Sequence, residues 1–524
     1  MYGWAGSGLR DPGATAEDEP VSWFTVTTDD TSPSDDLNEQ MRIRLAKREA
    51  LLESGREAYP VRPERTSSLT ELRNRYGSLA AEETSGEVVS VVGRVVFIRN
   101  SGKLCFATLQ EGNGARLQVM LSLAEVGAEA LADWKSLADL GDHVQVHGEV
   151  LSSKRGELSV MADSWSMASK ALRPLPTLHA GVSEEIRVRQ RYVDLLVRDE
   201  ARDMVRKRAA ITRTVRETLH ALDYVEVETP ILQLVHGGAT ARPFGTHLNA
   251  FDQKMTLRIA LELYLKRAVV GGIDRVYEIG RIFRNEGVDS THSPEFTMLE
   301  CYEAYADQFV MAERMQKMIL DCADALGSRI IETDKGTIDL NGTWAWLGVY
   351  PGLSAAVDQD ITPDTSREIL VGIANLHGVA VNPAWQAEKL VLELFSELVE
   401  PHLLQPTFVY DYPPSAQPLA RQHRDNPRLI EAWDLIIGGM ERGTAFSELI
   451  DPVVQRERLT AQSRRAAEGD DEAMQLDEDF LRALEYGAPP MGGIGLGIDR
   501  LVMLFTNVGI RESILFPILK PAQG

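Results

Sequence analysis

The sequence predicts an α+β chain: a small N-terminal β-barrel, then a larger domain in which helices flank an antiparallel sheet. Three observations carry that expectation. Between about residues 85 and 165, short alternating apolar segments are separated by turns carrying Gly or Asn. Beyond a linker with Pro174 and Pro176, amphipathic helical patterns alternate with strand-like segments that cluster as hairpins, not as strand–helix–strand crossovers. The chain has 524 residues, 44% apolar and 25% charged, enough to bury two or three domain cores.

The elements follow in order. Residues 1–40 hold nine acids against one base, Arg10, amid Ser, Thr, Gly and Pro, so 1–38 read as a disordered acidic tail. The tail carries part of the net charge of −23, so an acidic whole does not exclude a local basic surface for nucleic acid. From 39 to 75, Arg42, Arg44, Lys47, Arg48 and Arg56 fall on a helical pattern ending near Gly55, either a solvated face or a nucleic-acid contact. Five strand-like segments come next (EVVSVVGRVVFIR, LCFATLQ, ARLQVML, DHVQVHGEV, ELSVMAD), with a helical stretch after the third. That order suggests an OB-fold over 76–176, a barrel whose face binds oligonucleotides in many proteins, although fold alone does not establish binding.

From 177 to 524, helices are expected over 199–222, 260–271 and 308–326, with strands in DYVEVETPIL, RVYEIGRIFRN and EFTMLECYEAY. A helical insertion is expected around 360–400, and the acidic stretch 468–479 reads as a solvated helical insertion. No run approaches the ~18 apolar residues of a membrane span, and the N-terminus lacks a basic stretch leading into an apolar core. Cys105, Cys301 and Cys322 show no CxxC or Cys/His ligand spacing. A membrane protein, a disulfide scaffold and a conventional zinc site are therefore excluded, and a cytoplasmic protein is expected.

Three constellations carry chemistry. In FRNEG followed by THSPEFTMLECY, strand alternation sends Phe296, Met298, Glu300 and Tyr302 to one face, with Arg284, Glu286 and His292 around the joining loop. Acids on an inward face are odd for a core, though a hairpin with surface ion pairs is the plainer alternative. GIGLGIDR, Gly493 to Arg500, joins a glycine strand to an arginine at a helix start; this suits phosphate or base stacking, and equally tight helix–strand packing. WDLIIGGMERGTAFSEL spaces Asp434, Glu441 and Glu448 by seven residues. A hairpin at Gly438-Gly439 would let Asp434 and Glu441 meet across paired strands as oxygen ligands for Mg²⁺; otherwise such acids are simply solvated.

With DYVEVETP (Asp223 to Pro230), these segments resemble the three signature motifs of class II aminoacyl-tRNA synthetases, motif 1 around 206–231, motif 2 around 277–303 and motif 3 around 491–506. A basic helix before an OB-fold is similar to the aspartyl, asparaginyl and lysyl subgroup. GGATARPF, LRIALELYLKR, RVYEIGRIFRNEG, HSPEFTMLE, PLARQHRDNP, FSEL, GIDRLVMLFT and the linker KALRPLP resemble the lysyl enzymes, over roughly residues 38–520.

The resemblance implies a lysine-tRNA ligase and a role for each residue. Arg284 would clamp the ATP α-phosphate and the lysine carboxylate, a task suited to a guanidinium fork. Arg500, the second catalytic cation, would sandwich adenine with Phe296, while Glu286 reads the adenine amino group and His292 meets the outer phosphates. Asp434, where the family usually has Glu, and Glu441 would hold Mg²⁺, with ATP as substrate. Glu448 and Tyr302 would receive the lysine ε-ammonium, Glu300 lining that pocket; Glu262 and the Gly238 backbone would hold the α-amino group, and Thr444 would lie by the carboxylate. A buried ammonium requires such carboxylates.

On the barrel, Arg99, Phe106, Gln118 and Glu157 match anticodon-contacting positions, with Phe106 either a stacking platform or barrel core. The implied partners are tRNA(Lys), L-lysine, ATP and a second copy in a homodimer, with no membrane. The rivals are a lysine-activating paralogue with a non-tRNA acceptor and a non-catalytic RNA-binding paralogue. Leu261 stands where the family has Pro, Ser293 where it has Asn, Gln417 where it has Ser and Thr444 where it has Asn.

Overall fold

The structure is a computed structural model that describes residues 34–176, 182–467 and 473–520, and the chain divides into two compact units between Pro176 and Thr177. Most of the expected tail lies outside the described residues. Its last five residues do not: helix α1 spans Ser34–Glu53, so 34–38 are helical, a boundary that block composition could not resolve. The helix gives way to Gly55 at φ 73°, a left-handed stop. Its basic residues are mostly spent within the unit. Arg44 is buried and donates to the Leu140 and Ala171 carbonyls at 2.9 and 3.2 Å. Lys47 pairs with Asp139 at 2.6 Å, and Arg56 with Asp133 at 2.9 Å.

A capping box of Ser68 and Glu71 starts α2 (Leu69–Tyr76). Strands β1 (Thr84–Ser101), β2 (Leu104–Gln110), β3 (Arg116–Ser122), β4 (His143–Ser152) and β5 (Leu158–Ser169) close into a barrel in the order β1-β2-β3-β5-β4, with α3 (Leu123–Leu137) between the third and fourth. This is the expected OB arrangement. Alternate residues such as Val91, Ala107, Leu109, Val119 and Val146 fill its core.

The second unit is built on an eight-stranded sheet. In chain order its strands are β6 (Val225–Glu226), β7 (Arg275–Phe283), β8 (Glu295–Ala304), β9 (Ala345–Gly348), β10 (Thr407–Tyr412), β11 (Ile430–Ile436), β12 (Glu441–Ser447) and β13 (Met491–Gly497). They lie in the order β9-β10-β11-β12-β13-β8-β7-β6. Pairing is antiparallel from β10 to β7 and parallel only at the two outer pairs. Helices α4 (Asp199–Ala221), α5 (Glu262–Val270) and α6 (Gln308–Leu326) fall where the periodicity places them. Helices α7 (Arg367–His377) and α8 (Ala387–Leu398) share a separate core around Leu353, Leu370 and Leu394. One face of the sheet is sealed by α4, α6 and α9 (Ile498–Thr506), which pack Val215, Met315 and Leu501 against Leu299, Cys301 and Leu496.

Two expected elements differ. DYVEVETPIL pairs only at Val225–Glu226 and Leu232–Gln233; Pro230 supplies no donor for a continuous ladder, and the Thr229 N–H goes to the Glu278 carboxylate at 2.9 Å. Of the acidic stretch 468–479, residues 468–472 lie outside the described residues; 473–477 are not helical, and Ala473 and Met474 are buried, so apolar residues within the stretch outweigh its charge. All three cysteines are free and buried. No described helix is long and apolar enough to cross a membrane.

Candidate active site and barrel face

Strand β8 divides its side chains by alternation. Leu299 and Cys301 enter the core, while Phe296, Met298, Glu300 and Tyr302 line two connected clefts. Beside it β13 sets Gly497, Gly495 and Gly493 opposite Met298, Glu300 and Tyr302. These glycines create the space: a Cβ at 493 would overlap Glu448 Oε1 and the Tyr302 ring, and one at 495 would press on Met298 and Thr444.

The first cleft gathers Arg284, Glu286, His292, Phe296, Glu441 and Arg500. Arg284 lies 5.3 Å over the Phe296 ring centroid, and its Nε donates to the Ile259 carbonyl at 3.3 Å. Burial pushes its guanidinium below the ordinary value, opposed by Glu286, Glu300 and Glu441. Such an under-compensated cation favours an anionic ligand. His292 Nδ1 lies 2.8 Å from Asp289 Oδ2, and Asp289 Oδ1 accepts from the Thr291 and His292 N–H groups at 2.6 and 2.8 Å. Those hydrogen bonds hold the Asp289 carboxyl far below its usual range. Asp289 thus orders the loop that carries His292, a role sequence reading missed although D-x-T-H is an Asx-turn pattern. Arg500 Nη1 stands 3.2 Å from Glu441 Oε2.

The second cleft holds Gly238, Glu262, Glu300, Tyr302, Asp434, Thr444 and Glu448, and shares Arg284 and Glu441 with the first. Gly238 needs to be glycine, having φ 87° and a Cβ position 2.9 Å from the Ala260 Cβ. Glu300 accepts from the Leu261 N–H at 2.8 Å and the Tyr302 hydroxyl at 3.0 Å. Burial nevertheless pushes it to about 7, and Glu448 to about 8. Lys266, which sequence reading did not single out, is fully buried and ion-paired to both Glu262 and Glu448. The signal was present as an i,i+4 acid–base pair, a pattern that usually marks an exposed helix face.

Asp434 and Glu441 do not face each other across the hairpin. The turn at Gly438-Gly439 sets Glu441 opposite Ile436, two residues beyond Asp434, and a one-residue shift between Leu435 and Ile436 then pairs Asp434 with Thr444. Both acids still line the same cleft. Burial first, and the Glu441 charge second, push Asp434 to about 7 against hydrogen bonds from Thr444 and Tyr412. Two hard oxygen donors short of positive charge suit a divalent cation. No group of three or more His, Cys, Asp or Glu ligands occurs among the described residues, so ligand oxygens and water would complete any such shell.

A network unforeseen from sequence joins the three motif segments. Asp499 of α9 accepts from the Thr297 N–H of β8 at 2.6 Å and pairs with Arg208 of α4, whose Nη2 also donates to Thr297 Oγ1 at 3.1 Å.

In the barrel unit, Arg99 is the cross-strand neighbour of Phe106, and Gln118 neighbours Thr108 and Ser159. Phe106 is half-buried between the core residues Cys105 and Ala107, so it points outward and is not barrel core. Gln118 donates to Ser159 Oγ at 3.1 Å, and the exposed Glu157 pairs with Arg73 at 3.2 Å. The registers therefore bring Arg99, Phe106 and Gln118 to one side of β1, β2 and β3, with Glu157 in the turn just before β5.

A glycine-floored antiparallel sheet carrying an arginine–phenylalanine pair, with an OB barrel ahead of it, defines a class II aminoacyl-tRNA synthetase. The family model for class II tRNA synthetases (D, K and N) matches residues 183–520, and that for the OB-fold nucleic acid binding domain matches 89–168; the chain belongs to this class II family. It is 56% identical over 490 residues to the lysine-tRNA ligase of Kineococcus radiotolerans, covering 93% of this chain and 98% of the relative. The lysine-tRNA ligase of Mycolicibacterium gilvum is 56% identical over 94% of this chain and 99% of its own length. The lysylphosphatidylglycerol biosynthesis bifunctional protein LysX of Nocardia farcinica is 44% identical over 97% of this chain but only 45% of its own length.

Proposed function

We infer that the chain is a lysine-tRNA ligase, which activates L-lysine with ATP to lysyl-adenylate, releasing pyrophosphate, and transfers the lysyl group to tRNA(Lys). The observation that carries the substrate is the convergence of buried Glu262, Glu300 and Glu448 in one cleft that Arg284 also lines. That charge pattern fits an amino acid with two ammonium groups and one carboxylate.

Glu448 and Tyr302, with Glu300 beside them, receive the ε-ammonium, and Glu262 with the Gly238 backbone receives the α-ammonium. Arg284 holds the carboxylate against the ATP α-phosphate, while Phe296 and Arg500 enclose the adenine, Glu286 reads its amino group and His292 meets the outer phosphates. The carboxylate oxygen attacks phosphorus in line, a P–O bond forms as pyrophosphate departs, and Arg284 stabilises the charge that builds on the α-phosphate. A ribose hydroxyl of the tRNA 3′ adenosine then attacks the lysyl carbonyl and AMP leaves. Asp434 and Glu441 would hold Mg²⁺, which neutralises phosphate charge when bound.

The barrel face with Arg99, Phe106, Gln118 and Glu157 is assigned to the anticodon. Exposed Val225, Ile231, Leu232 and Leu234 around Pro230 support a homodimer through motif 1. A cytoplasmic location, with no membrane partner, belongs to the same reading. The test is lysine-dependent ATP–pyrophosphate exchange followed by charging of purified tRNA(Lys). Both are expected; exchange without charging would move the acceptor elsewhere, and no exchange would overturn the assignment.

Two further outcomes are expected. Phe106→Ala should weaken tRNA charging while leaving pyrophosphate exchange within about twofold, since stacking on one base contributes roughly 1–3 kcal/mol; the two assays in parallel check it. Thr444 is opposite Asp434, and its hydroxyl is 3.3 Å from the Trp433 carbonyl, so it offers the lysine carboxylate little. Thr444→Asn adds a carboxamide donor that reaches further, and a hydrogen bond to a charged group is worth roughly 1.5–3 kcal/mol. The lysine KM in pyrophosphate exchange should fall, by up to about tenfold.

A further inference from the structure

We propose that Lys266 sets the amino-acid specificity of the lysine cleft as a positioning residue: from behind the cleft wall its ammonium clamps Glu262 and Glu448 and tunes the cleft charge to two incoming ammonium groups. The inference rests on the reading of this cleft as the lysine site.

Lys266 lies on α5 one turn after Glu262, and its side chain is 1% exposed. It is not among the residues that line the cleft. Its Nζ is 2.6 Å from Glu262 Oε1 and also paired with Glu448 Oε2. Both Glu448 oxygens are buried without a hydrogen-bond partner; Oε2 has the Lys266 ion pair, and Oε1, beside Gly493 and Tyr302, has no cation. One oxygen of each acid is thus occupied from outside the cleft, and Glu448 keeps a free one for a ligand.

With Asp434 and Glu441, which line the same cleft, assigned to Mg²⁺, the charges at the lysine end close only with Lys266 included. Glu262, Glu300 and Glu448 bring three negative charges, and Lys266 offsets one of them. Arg284 is matched by the substrate carboxylate. Two negative charges then remain for the two ammonium groups of lysine. A monoamino acid of similar length leaves one buried carboxylate without a cation, which must take up a proton or go unpaired.

The charged and titratable groups facing Glu448 are Glu262 and Lys266 from α5 and Glu300 and Tyr302 from β8. Lys266 is the cation in that set. Burial lowers the affinity of the Lys266 ammonium for its proton, but Glu262 and Glu448 outweigh burial and leave the group above its ordinary value, hence charged. Without it the Glu448 carboxyl, already pushed to about 8 by burial, loses its main opposing influence and rises further. Glu448 must be ionised to receive an ammonium, so the acid limb of lysine kcat/KM then moves to higher pH.

The experiment uses the full chain with Lys266→Met, assayed by pyrophosphate exchange across pH with lysine, with norleucine as an apolar competitor, and with ATP varied at saturating lysine. The expected result is a lysine KM raised roughly tenfold or more, an ATP KM within about twofold of the parent, an acid limb displaced upward by about half a pH unit or more, and a reduced preference for lysine over norleucine. Lys266→Arg keeps the charge and should keep the limb where the parent has it. Lys266→Gln carries the same expectations as the methionine variant and settles the matter if that variant does not fold. An unmoved acid limb and unchanged lysine KM would overturn the proposal, as would an equal rise of both KM values with an unmoved limb, which marks a merely structural lysine. Failure of the parent itself to exchange with lysine would instead overturn the cleft assignment.

Discussion

Arg284→Ala is expected to lower lysine-dependent pyrophosphate exchange by on the order of 10²–10³-fold or more, the largest loss of any single substitution in the site. Arg284 alone lines both clefts as a cation, so one guanidinium serves the substrate carboxylate and the phosphate that accepts it. Removing it leaves two anions to approach each other with no intervening positive charge, and the penalty falls on the transition state, where charge on the α-phosphate is greatest. Arg284→Lys should recover little, because a single ammonium cannot reproduce a planar fork that bridges two anions while stacking on Phe296. The fold should survive. The Arg284 side chain keeps some exposure at the cleft and donates to the Ile259 carbonyl, while its backbone bond to the Pro294 carbonyl is untouched by the substitution. Single-turnover adenylate formation alongside a thermal melt checks both statements; adenylation within tenfold of the parent would remove Arg284 from the chemistry.

The barrel was legible because its pattern is local. Five alternating segments and one intervening helix lie in a continuous stretch, although which face of LCFATLQ turns inward, and so whether Phe106 is core, was decided only by the closed barrel. The face of β8 was legible for the same reason. What escaped depends on partners distant in the chain. Lys266 and Glu448 are separated by 182 positions, and nothing in LYLKR alone says that the helix face is buried. Arg208, Thr297 and Asp499 lie on three separate motif segments and meet only after the sheet and its helices pack. The hairpin at Gly438-Gly439 was foreseen, but its register was not: that turn sets Glu441 opposite Ile436, and the one-residue shift beyond it brings Thr444 to Asp434. Glu/Asp counts misread the start of α1 and the 473–477 segment, since composition averages over windows and burial is decided residue by residue.

Glu448→Gln is expected to raise the lysine KM and cut kcat/KM for lysine by on the order of 10²–10³, with a much smaller effect on the ATP KM. Breaking one partner of a buried ion pair costs roughly 3–5 kcal/mol, because the surviving charge is left in a poor solvent. The substrate ε-ammonium loses its counter-charge here, and Lys266 loses one of its two. The pH profile separates this electrostatic role from packing. In the parent, Glu300 and Glu448 are pushed up to about 7 and about 8 by burial. Each receives an ammonium only when ionised, so parent kcat/KM for lysine should climb as pH rises through that window and fall away below it. Glutamine does not titrate, so the variant should lose the limb near 8 and keep the one near 7. Its loss relative to the parent should therefore be greatest at alkaline pH and shrink toward neutrality, where the parent's own Glu448 is increasingly protonated. Measuring lysine kcat/KM for both proteins from pH 6 to 9 decides it: a constant ratio across that range would mean that Glu448 acts through shape, and the assignment of its carboxylate to the ε-ammonium would fall.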